Sequence, residues 1–524
     1  MHIDTLIKGA VVYDGVTDAP QRVDVGVRGE RIAYVGPPLS SNPGTRRIDA
    51  KGRLLCPGFI DTHASTGLGY RFPHAGDNKL FQGVTTEVIG NCGTSTGPIG
   101  ERLVPTMERL AQEIGFTFDW RTLGEWMDGV ETYGLPFNVG TFVGHSTLRG
   151  GICTDMQQVT DAEINAMATM LDGAMRDGAL GLSTGLVYAP GSFATTDEIV
   201  RLTEVVTRHG GIYVSHIRDE RQDLEASIDE AISIGQRAGV PILVSHLKAA
   251  ERPNWGKIPG ILSRIESARE KGVDINIEVY PYTATSTKLR TFIPKDTLRD
   301  GVSGMVQKLR TDDWRQRSVE WLRRRGTDFG GMVLITESLP GAAGRSIVEI
   351  AEAHGRDPAH TIVDVLLAEP DTWIVYHCMD QADVDAAILW PDSIVASDSW
   401  SHPVNAPRQI GQPHPRTYGA FTRFLEQYAL RSPPRLALGH AVRKITSLPA
   451  RWLRLPDRGR IAEGCFADLV LLDPDRVHEK ATYADPRQFS EGTDAVWVNG
   501  TMMIEDGTLR DDTPGHVIRN AHVC

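Results

Sequence analysis

Cysteine is scarce: Cys56, Cys92, Cys153, Cys378, Cys465 and Cys524 are the only six in 524 residues, and no two are spaced as CxxC. A disulfide scaffold is thereby excluded and a reducing, cytoplasmic compartment is expected. Basic charge is not in excess either. Lys and Arg number 55 against 67 Asp and Glu, a net charge of −12 (55 − 67), and the pI is near 5.8. Such a chain has no electrostatic footprint for nucleic acid or for an anionic membrane. No run approaches ~20 uninterrupted apolar residues, so no membrane span is expected. Met1-His2-Ile3-Asp4-Thr5-Leu6-Ile7 has no basic segment ahead of an apolar run, so no secretory leader is expected. Aromatic residues are only 7%, yet 41% hydrophobic and 23% charged residues are the balance of a soluble enzyme and argue against disorder. The length exceeds the ~300 residues at which one core stops growing, so a large domain with a smaller one attached is expected.

No internal repeat or low-complexity tract stands out. The first 50 residues alternate in short runs broken by Gly, Asp and Pro, the texture of an antiparallel sheet. The C-terminal part has the same texture, with a strand at 468–473 and a hairpin at 496–503 turning on Asn499-Gly500. The two ends are expected to pair into one discontinuous β domain, 1–53 with 455–524. Between them, short apolar strands at 54–60, 86–89, 137–143, 180–183, 212–215, 242–245, 275–279, 373–376 and 393–396 alternate with helical stretches such as 161–177, 196–209, 224–238 and 258–271. This rhythm means a parallel sheet. About eight such units over ~350 residues suit a TIM-like (β/α)8 barrel at 54–454, although nine strand candidates exceed eight. Residues 284–372 interrupt the rhythm, carry Arg323-Arg324-Arg325, and read as an insertion that forms a lid over the active face.

Several strands end in residues that can bind metal. Residues 54–60 run into Asp61-Thr62-His63, 86–89 into Gly90-Asn91-Cys92, 137–143 into Gly144-His145, 212–215 into His216, 242–245 into His246, and 393–396 into Ser397-Asp398. Every strand of a barrel opens its C-terminal end on one face, so these side chains would converge there. A single His after a buried strand is commonly a hydrogen-bonded core residue. The repeated Val-Ser-His at 214–216 and 244–246 is more informative, since it sets two imidazoles side by side one βα unit apart. Imidazole, thiol and carboxylate together are the ligand types of zinc.

The run Cys56-Pro57-Gly58-Phe59-Ile60-Asp61-Thr62-His63 resembles the first-strand signature of the amidohydrolase superfamily. Gly83-Val84-Thr85-Thr86 with Gly90-Asn91-Cys92-Gly93 is similar to the D-aminoacylase (N-acyl-D-amino-acid deacylase) family. The blocks at 181–188, 215–218, 245–248, 280–284, 397–398, 414–419 and 464–470 follow in the family's order. The resemblance implies a catalytic zinc held by Cys92, His216 and His246, with Asp398 as the catalytic carboxylate. It also implies a second metal position at His63 and Asp398. The family's first strand carries His-x-His, whereas this chain reads His63-Ala64-Ser65, so that second position is expected to be weak or empty and one tightly bound zinc is expected. Residues 182–185 offer no lysine to carboxylate, which argues against a binuclear site of the hydantoinase type.

The expected activity is hydrolysis of the amide of an N-acyl-D-amino acid or close analogue. Zinc activates a water, and Asp398 serves as base and then as acid. Tyr188 or His63 would steady the oxyanion. Lys248, two residues beyond His246 and so on the same side of an extended segment, would meet the substrate carboxylate, with Tyr282, Ser286 and Arg416 as further binding candidates. Two alternatives remain: a hydrolase of another amide (cyclic amide, D-residue dipeptide or N-carbamoyl compound), and a non-catalytic metal-binding protein on the same fold. The expected partner is a small molecule, and nothing in the sequence speaks against a homo-oligomer.

Overall fold

The protein is described by a computed structural model covering residues 2–40, 43–65, 67–335, 340–401 and 412–520. Cys524 and residues 336–339 of the insertion lie outside the described residues.

Eight parallel strands follow one another round a ring. They are β1 (Phe59–Asp61), β2 (Val84–Ile89), β3 (Asn138–Thr141, continued by Val143–Gly144), β4 (Gly181–Gly185), β5 (Ile212–His216), β6 (Ile242–Val244), β7 (Ile275–Val279) and β8 (Ile394–Val395). Each pairs with the next in parallel. The last meets the first through a parallel bridge between Ala64 and Ser399, where Ser65 N donates to Ser399 O at 2.9 Å. Ile60, Val88, Phe142, Val214, Leu243 and Ile394 fill the interior, and Leu448 and Trp452 of the helix Ser447–Trp452 join the same core. Branched and aromatic side chains in that position make the barrel a packed core with a polar mouth.

The helices between strands have local causes. Asp161–Asp177 starts at a capping box in which Thr160 and Glu163 exchange hydrogen bonds, and ends at left-handed Gly178. Its buried residues Met167, Leu171, Ala174 and Met175 recur at helical spacing and face the sheet.

Strands from both chain ends form one nine-stranded sheet. Leu54–Pro57 runs antiparallel to Leu469–Leu472, so the two ends meet there. Thr493–Val498 and Thr501–Glu505 make the expected hairpin. Its turn residues Asn499 (φ 46°) and Gly500 (φ 78°) are both left-handed, as a two-residue type I′ turn requires. Residues 54–60 are two strands rather than one. At Gly58, which separates them, a Cβ would stand 2.0 Å from Thr85 Oγ1.

The ninth strand candidate does not belong to the barrel. Trp373–His377 pairs antiparallel with Ala284–Lys288 and with Met332–Leu334 in a small sheet between β7 and β8, so the interruption reaches past residue 372. An apolar run looks the same in either sheet, and only the partner strand tells them apart. Among the described residues, no helix is long and apolar enough to cross a membrane.

Candidate metal centre at the mouth of the barrel

Each chemical side chain sits where its strand gives out, and the backbone there is unusual. Cys92, His246 and Asp398 have φ of 52°, 34° and 49°, left-handed values that non-glycine residues rarely adopt. Such positions cost about 1–3 kcal/mol each and persist only where the surroundings over-determine them. Around Cys92 those surroundings are visible. Asn91 Nδ2 donates to the carbonyls of Thr62, Ala64 and Val88 at 3.0–3.2 Å, tying the ends of β1 and β2 together. Glycine is required on both sides. A Cβ at Gly90 would lie 2.2 Å from Phe142 O, and one at Gly93 would lie 2.7 Å from Gly185 N.

The side chains converge. Cys92 Sγ lies 3.3 Å from His63 Nε2, 3.5 Å from His216 Nδ1 and 3.5 Å from His246 Nε2. Asp398 Oδ1 is 3.5 Å from His63 Nε2. Cys92, His63, His246 and Asp398 thus form one candidate ligand group, and His216, Glu220 and His246 form a second beside it. Three imidazole nitrogens within 3.5 Å of one sulfur are an arrangement that could serve a shared cation. The spacing supports this. With Zn–S near 2.3 Å and Zn–N near 2.05 Å, two ligands of a tetrahedral zinc are about 3.6 Å apart. The donor set, one thiolate with imidazoles, is also of the type that zinc prefers. The residues therefore fit zinc.

Carboxylates stand behind the imidazoles. Glu278 Oε2 is 2.7 Å from His63 Nδ1, and Glu220 Oε1 is 3.0 Å from His246 Nδ1. This outer contact holds an imidazole with its other nitrogen bare toward a metal. Glu220 also takes Lys248 Nζ at 2.6 Å, and its other oxygen is 3.8 Å from His216 Nε2.

Charge follows from these contacts. Burial lowers the basicity of His216 to a pKa of about 4, so it is neutral at pH 7. Burial would raise Cys92, but His63 and His246 beside it bring its thiol below the usual value. Burial would likewise raise Asp398, yet Arg416, His246, His63 and Lys248 bring it down to about 2. The Arg416 guanidinium is 2.7 Å from Asp398 Oδ2. Burial opposes the charge on Lys248, but Glu220 first and then Tyr280 and Asp398 hold its ammonium above the usual range.

A cavity of about 2000 Å³ opens over this point, and Ser65, Cys92, Tyr188, His216, His246, Lys248, Ser286, Asp398 and Arg416 all line it. Tyr188 packs edge-on against His216 with ring centres 5.0 Å apart, and its hydroxyl meets Thr287 Oγ1 at 3.2 Å. Tyr282 is a correction. It does not line the cavity; its hydroxyl donates to Glu479 at 2.5 Å, beside Arg423. Two residues earlier, Tyr280 lies under Lys248 and Arg416, with Nζ 5.6 Å and the guanidinium 4.6 Å from its ring centre. The buried Ser286 Oγ has no hydrogen-bond partner among the described residues. In Tyr280-Pro281-Tyr282 either tyrosine could lie against Lys248, and only the fold selects the first. His145 also stays out of the centre, because it opens the helix His145–Ile152 and pairs with Glu198 at 2.8 Å.

Sequence reasoning missed Glu220, Glu278 and Tyr280. Glu278 had a signal: a carboxylate inside the otherwise buried barrel strand Ile275–Val279 needs a partner. Glu220 had none beyond its place four residues after His216.

A barrel of this topology with thiolate, imidazoles and a carboxylate at its mouth defines a metal-dependent hydrolase of the amidohydrolase type. The family model described as "Amidohydrolase family" matches residues 46–330 and 337–504, and the chain belongs to that family. Within it the chain groups with the D-aminoacylases. It is 33% identical over 518 residues to a D-aminoacylase of Alcaligenes xylosoxydans xylosoxydans, covering 98% of this chain and 97% of that one. It is 34% identical over 521 residues to an N-acyl-D-glutamate deacylase of the same organism, covering 99% and 96%. The crystal structure of N-acyl-D-glutamate deacylase from Bordetella bronchiseptica, complexed with zinc and a phosphonate mimic of the tetrahedral intermediate, superposes with a TM-score of 0.83. That structure is 31% identical, with 99% of this chain and 100% of that chain covered.

Proposed function

We propose that the protein is a zinc-dependent amidohydrolase that cleaves the amide bond of an N-acyl-D-amino acid or a close analogue. The observation that carries this reading is the Cys92 sulfur within 3.5 Å of three imidazole nitrogens, with Asp398 alongside, at the mouth of a barrel whose full-length relatives are D-amino-acid deacylases. Cys92, His216 and His246 would hold one tight zinc. Zinc bound there supplies a Lewis acid that polarises a carbonyl and acidifies water. A second position at His63 and Asp398 is weak in this reading, because Ser65 brings a hydroxyl where a second imidazole would sit.

Asp398 takes a proton from the attacking water and hands it to the leaving nitrogen, which an amide needs because its anion leaves poorly. Arg416 keeps the carboxylate ionised before the reaction. The Tyr188 hydroxyl is the donor offered to the developing oxyanion, while His63, with Nδ1 taken by Glu278, serves in this reading as a ligand of the weak second position. The substrate carboxylate meets Lys248 Nζ and Ser286 Oγ, from two residues that line the cavity; the buried Ser286 hydroxyl is without a protein hydrogen-bond partner among the described residues, and a carboxylate would satisfy it.

The same reading divides the chain into an end-formed β domain (1–53, 455–524) and a barrel (54–454), although the strand Leu54–Pro57 pairs into the end-formed sheet, with the insertion at about 284–372 as a lid. It rests on Ser286, Lys288, Arg290, Trp321 and Arg325 of the insertion, which line the cavity. The test is acyl-product release by zinc-loaded enzyme over a panel of N-acyl-D- and N-acyl-L-amino acids, cyclic amides and N-carbamoyl compounds. Turnover of at least one N-acyl-D-amino acid is expected; none, with cyclic amides turned over, would transfer the assignment to a different amide.

A further inference from the structure

The segment that carries Asp398 is built on a two-residue alternation. Asp398 and Trp400 line the cavity. Ser397 and Ser399 point the other way, into a buried cluster of charges behind the mouth. Lys79, fully buried in the short helix Asp77–Leu80, is at its centre. Its Nζ donates to Asp61 Oδ2 at 2.6 Å, to Ser397 Oγ at 2.8 Å and to Ser399 Oγ at 3.0 Å, and lies 3.3 Å from Glu87 Oε1. Asp61 in turn accepts Ser397 N at 3.0 Å and Ser397 Oγ at 2.5 Å. Ser401 Oγ donates to Glu87 Oε2 at 2.5 Å, and the Tyr70 hydroxyl donates to the same oxygen. Burial opposes the charge on Lys79, but Asp61 and Glu87 hold its ammonium above the usual value.

These contacts hold the chain on both sides of Asp398, whose φ is a left-handed 49°. Ser399 N is closed onto Ser397 Oγ at 3.2 Å, and Ser399 O accepts from Ser65 N at 2.9 Å. Lys79, Asp61, Glu87, Ser397 and Ser399 do not line the cavity. Their arrangement costs the desolvation of one ammonium and two carboxylates, which a core would avoid unless the geometry were needed.

We infer that Lys79, with Asp61 and the alternate serines Ser397 and Ser399, is a positioning device that holds Asp398 in its strained, cavity-facing conformation for proton transfer. The inference rests on the proposed role of Asp398. Misplacing a reacting group by about 1 Å can cost up to about 100-fold in rate. Lys79→Met would strand two buried carboxylates and endanger folding, so the serines carry the test.

The experiment compares Ser397→Ala, Ser399→Ala, the double variant and Ser399→Thr, which keeps the hydroxyl. Zinc-loaded full-length enzymes are assayed with an N-acetyl-D-amino acid turned over by the wild type, and the double variant is crystallised with zinc. The alanine variants are expected to lose about 10- to 100-fold in kcat with KM within about twofold, and Ser399→Thr to recover most of the loss. Zinc content stays at the wild-type value, and in the double variant Asp398 leaves the left-handed region. A double variant that keeps both kcat and the Asp398 conformation overturns the inference. Asp398→Asn separates the two readings. If it is fully active while the double variant displaces Asp398, the proton-transfer role falls and the positioning of residue 398 by the cluster stands.

Discussion

Glu220→Gln changes one charge and almost no volume, and the structure sets the size of the consequence. Glu220 Oε1 accepts Lys248 Nζ at 2.6 Å and lies 3.0 Å from His246 Nδ1, which Lys248 Nζ also approaches to 2.8 Å, while Oε2 is 3.8 Å from His216 Nε2. Lys248, His216 and His246 outweigh the cost of burial and hold this carboxyl well below the usual range, so the wild-type group is ionised. A hydrogen bond to a charged acceptor contributes about 1.5–3 kcal/mol, against about 0.5–1.5 for a neutral one. Weakening of the contacts at Glu220 by about 1–2 kcal/mol in all amounts to roughly 5- to 30-fold in an equilibrium constant at 1.4 kcal/mol per decade. The histidine hardest hit is one of the proposed zinc ligands. Zinc affinity should therefore fall about 5- to 30-fold, which overlaps the range of about 10- to 100-fold found when carboxylates behind metal-binding histidines are removed. The assay is zinc competition with a calibrated chelator at neutral pH, with thermal melting as a check on folding. A dissociation constant within about threefold of wild type would refute the claim that Glu220 orients His246 toward a metal.

Arg416→Met removes the cation that most offsets the burial of Asp398, so its pKa rises from about 2 and the acid limb of kcat/KM against pH moves to higher pH; an unshifted limb would show that Arg416 does not set this carboxyl. Ser65→His restores a second imidazole beside His63, and metal titration should then find a second, weaker zinc per chain; unchanged stoichiometry at high zinc would count against the account of Ser65. Far from the mouth, burial would raise Glu198, but His145 and then Arg149 draw it down to about 2 from 4.5. A carboxyl depressed in the folded state stabilises above its unfolded pKa and loses that contribution as pH falls through the folded one. Arg149→Met should thus cost about 3–5 kcal/mol at pH 7, with the deficit shrinking as pH drops from 4.5 toward 2; urea unfolding across pH would reveal a constant deficit if the pairing were unimportant.

Much of the architecture could be read from local pattern. Strand-helix alternation specifies a parallel barrel because a right-handed crossover leaves few other ways to bury each apolar strand. The Asn499-Gly500 hairpin was legible because two successive left-handed residues admit few other side chains. The strand-end rule brought His63, Cys92, His216, His246 and Asp398 to one mouth, since strand ends share a face whatever the loops do. The rule failed at His145, where the chain turns into a helix one residue too early for the imidazole to reach the centre. It also could not separate Trp373–His377 from a barrel strand, because periodicity carries no information about the partner.

The order of residues along the chain determined the barrel, the donor types and the absence of a second histidine after His63, because each is a property of local spacing and composition. Tertiary structure alone decided that Tyr280 rather than Tyr282 faces Lys248, that Glu220 and Glu278 stand behind the imidazoles, and that Lys79 reaches Ser397 and Ser399 across more than 300 positions. Those choices depend on which buried charges come within hydrogen-bonding distance once the ring closes, and distance through space is not written in distance along the chain.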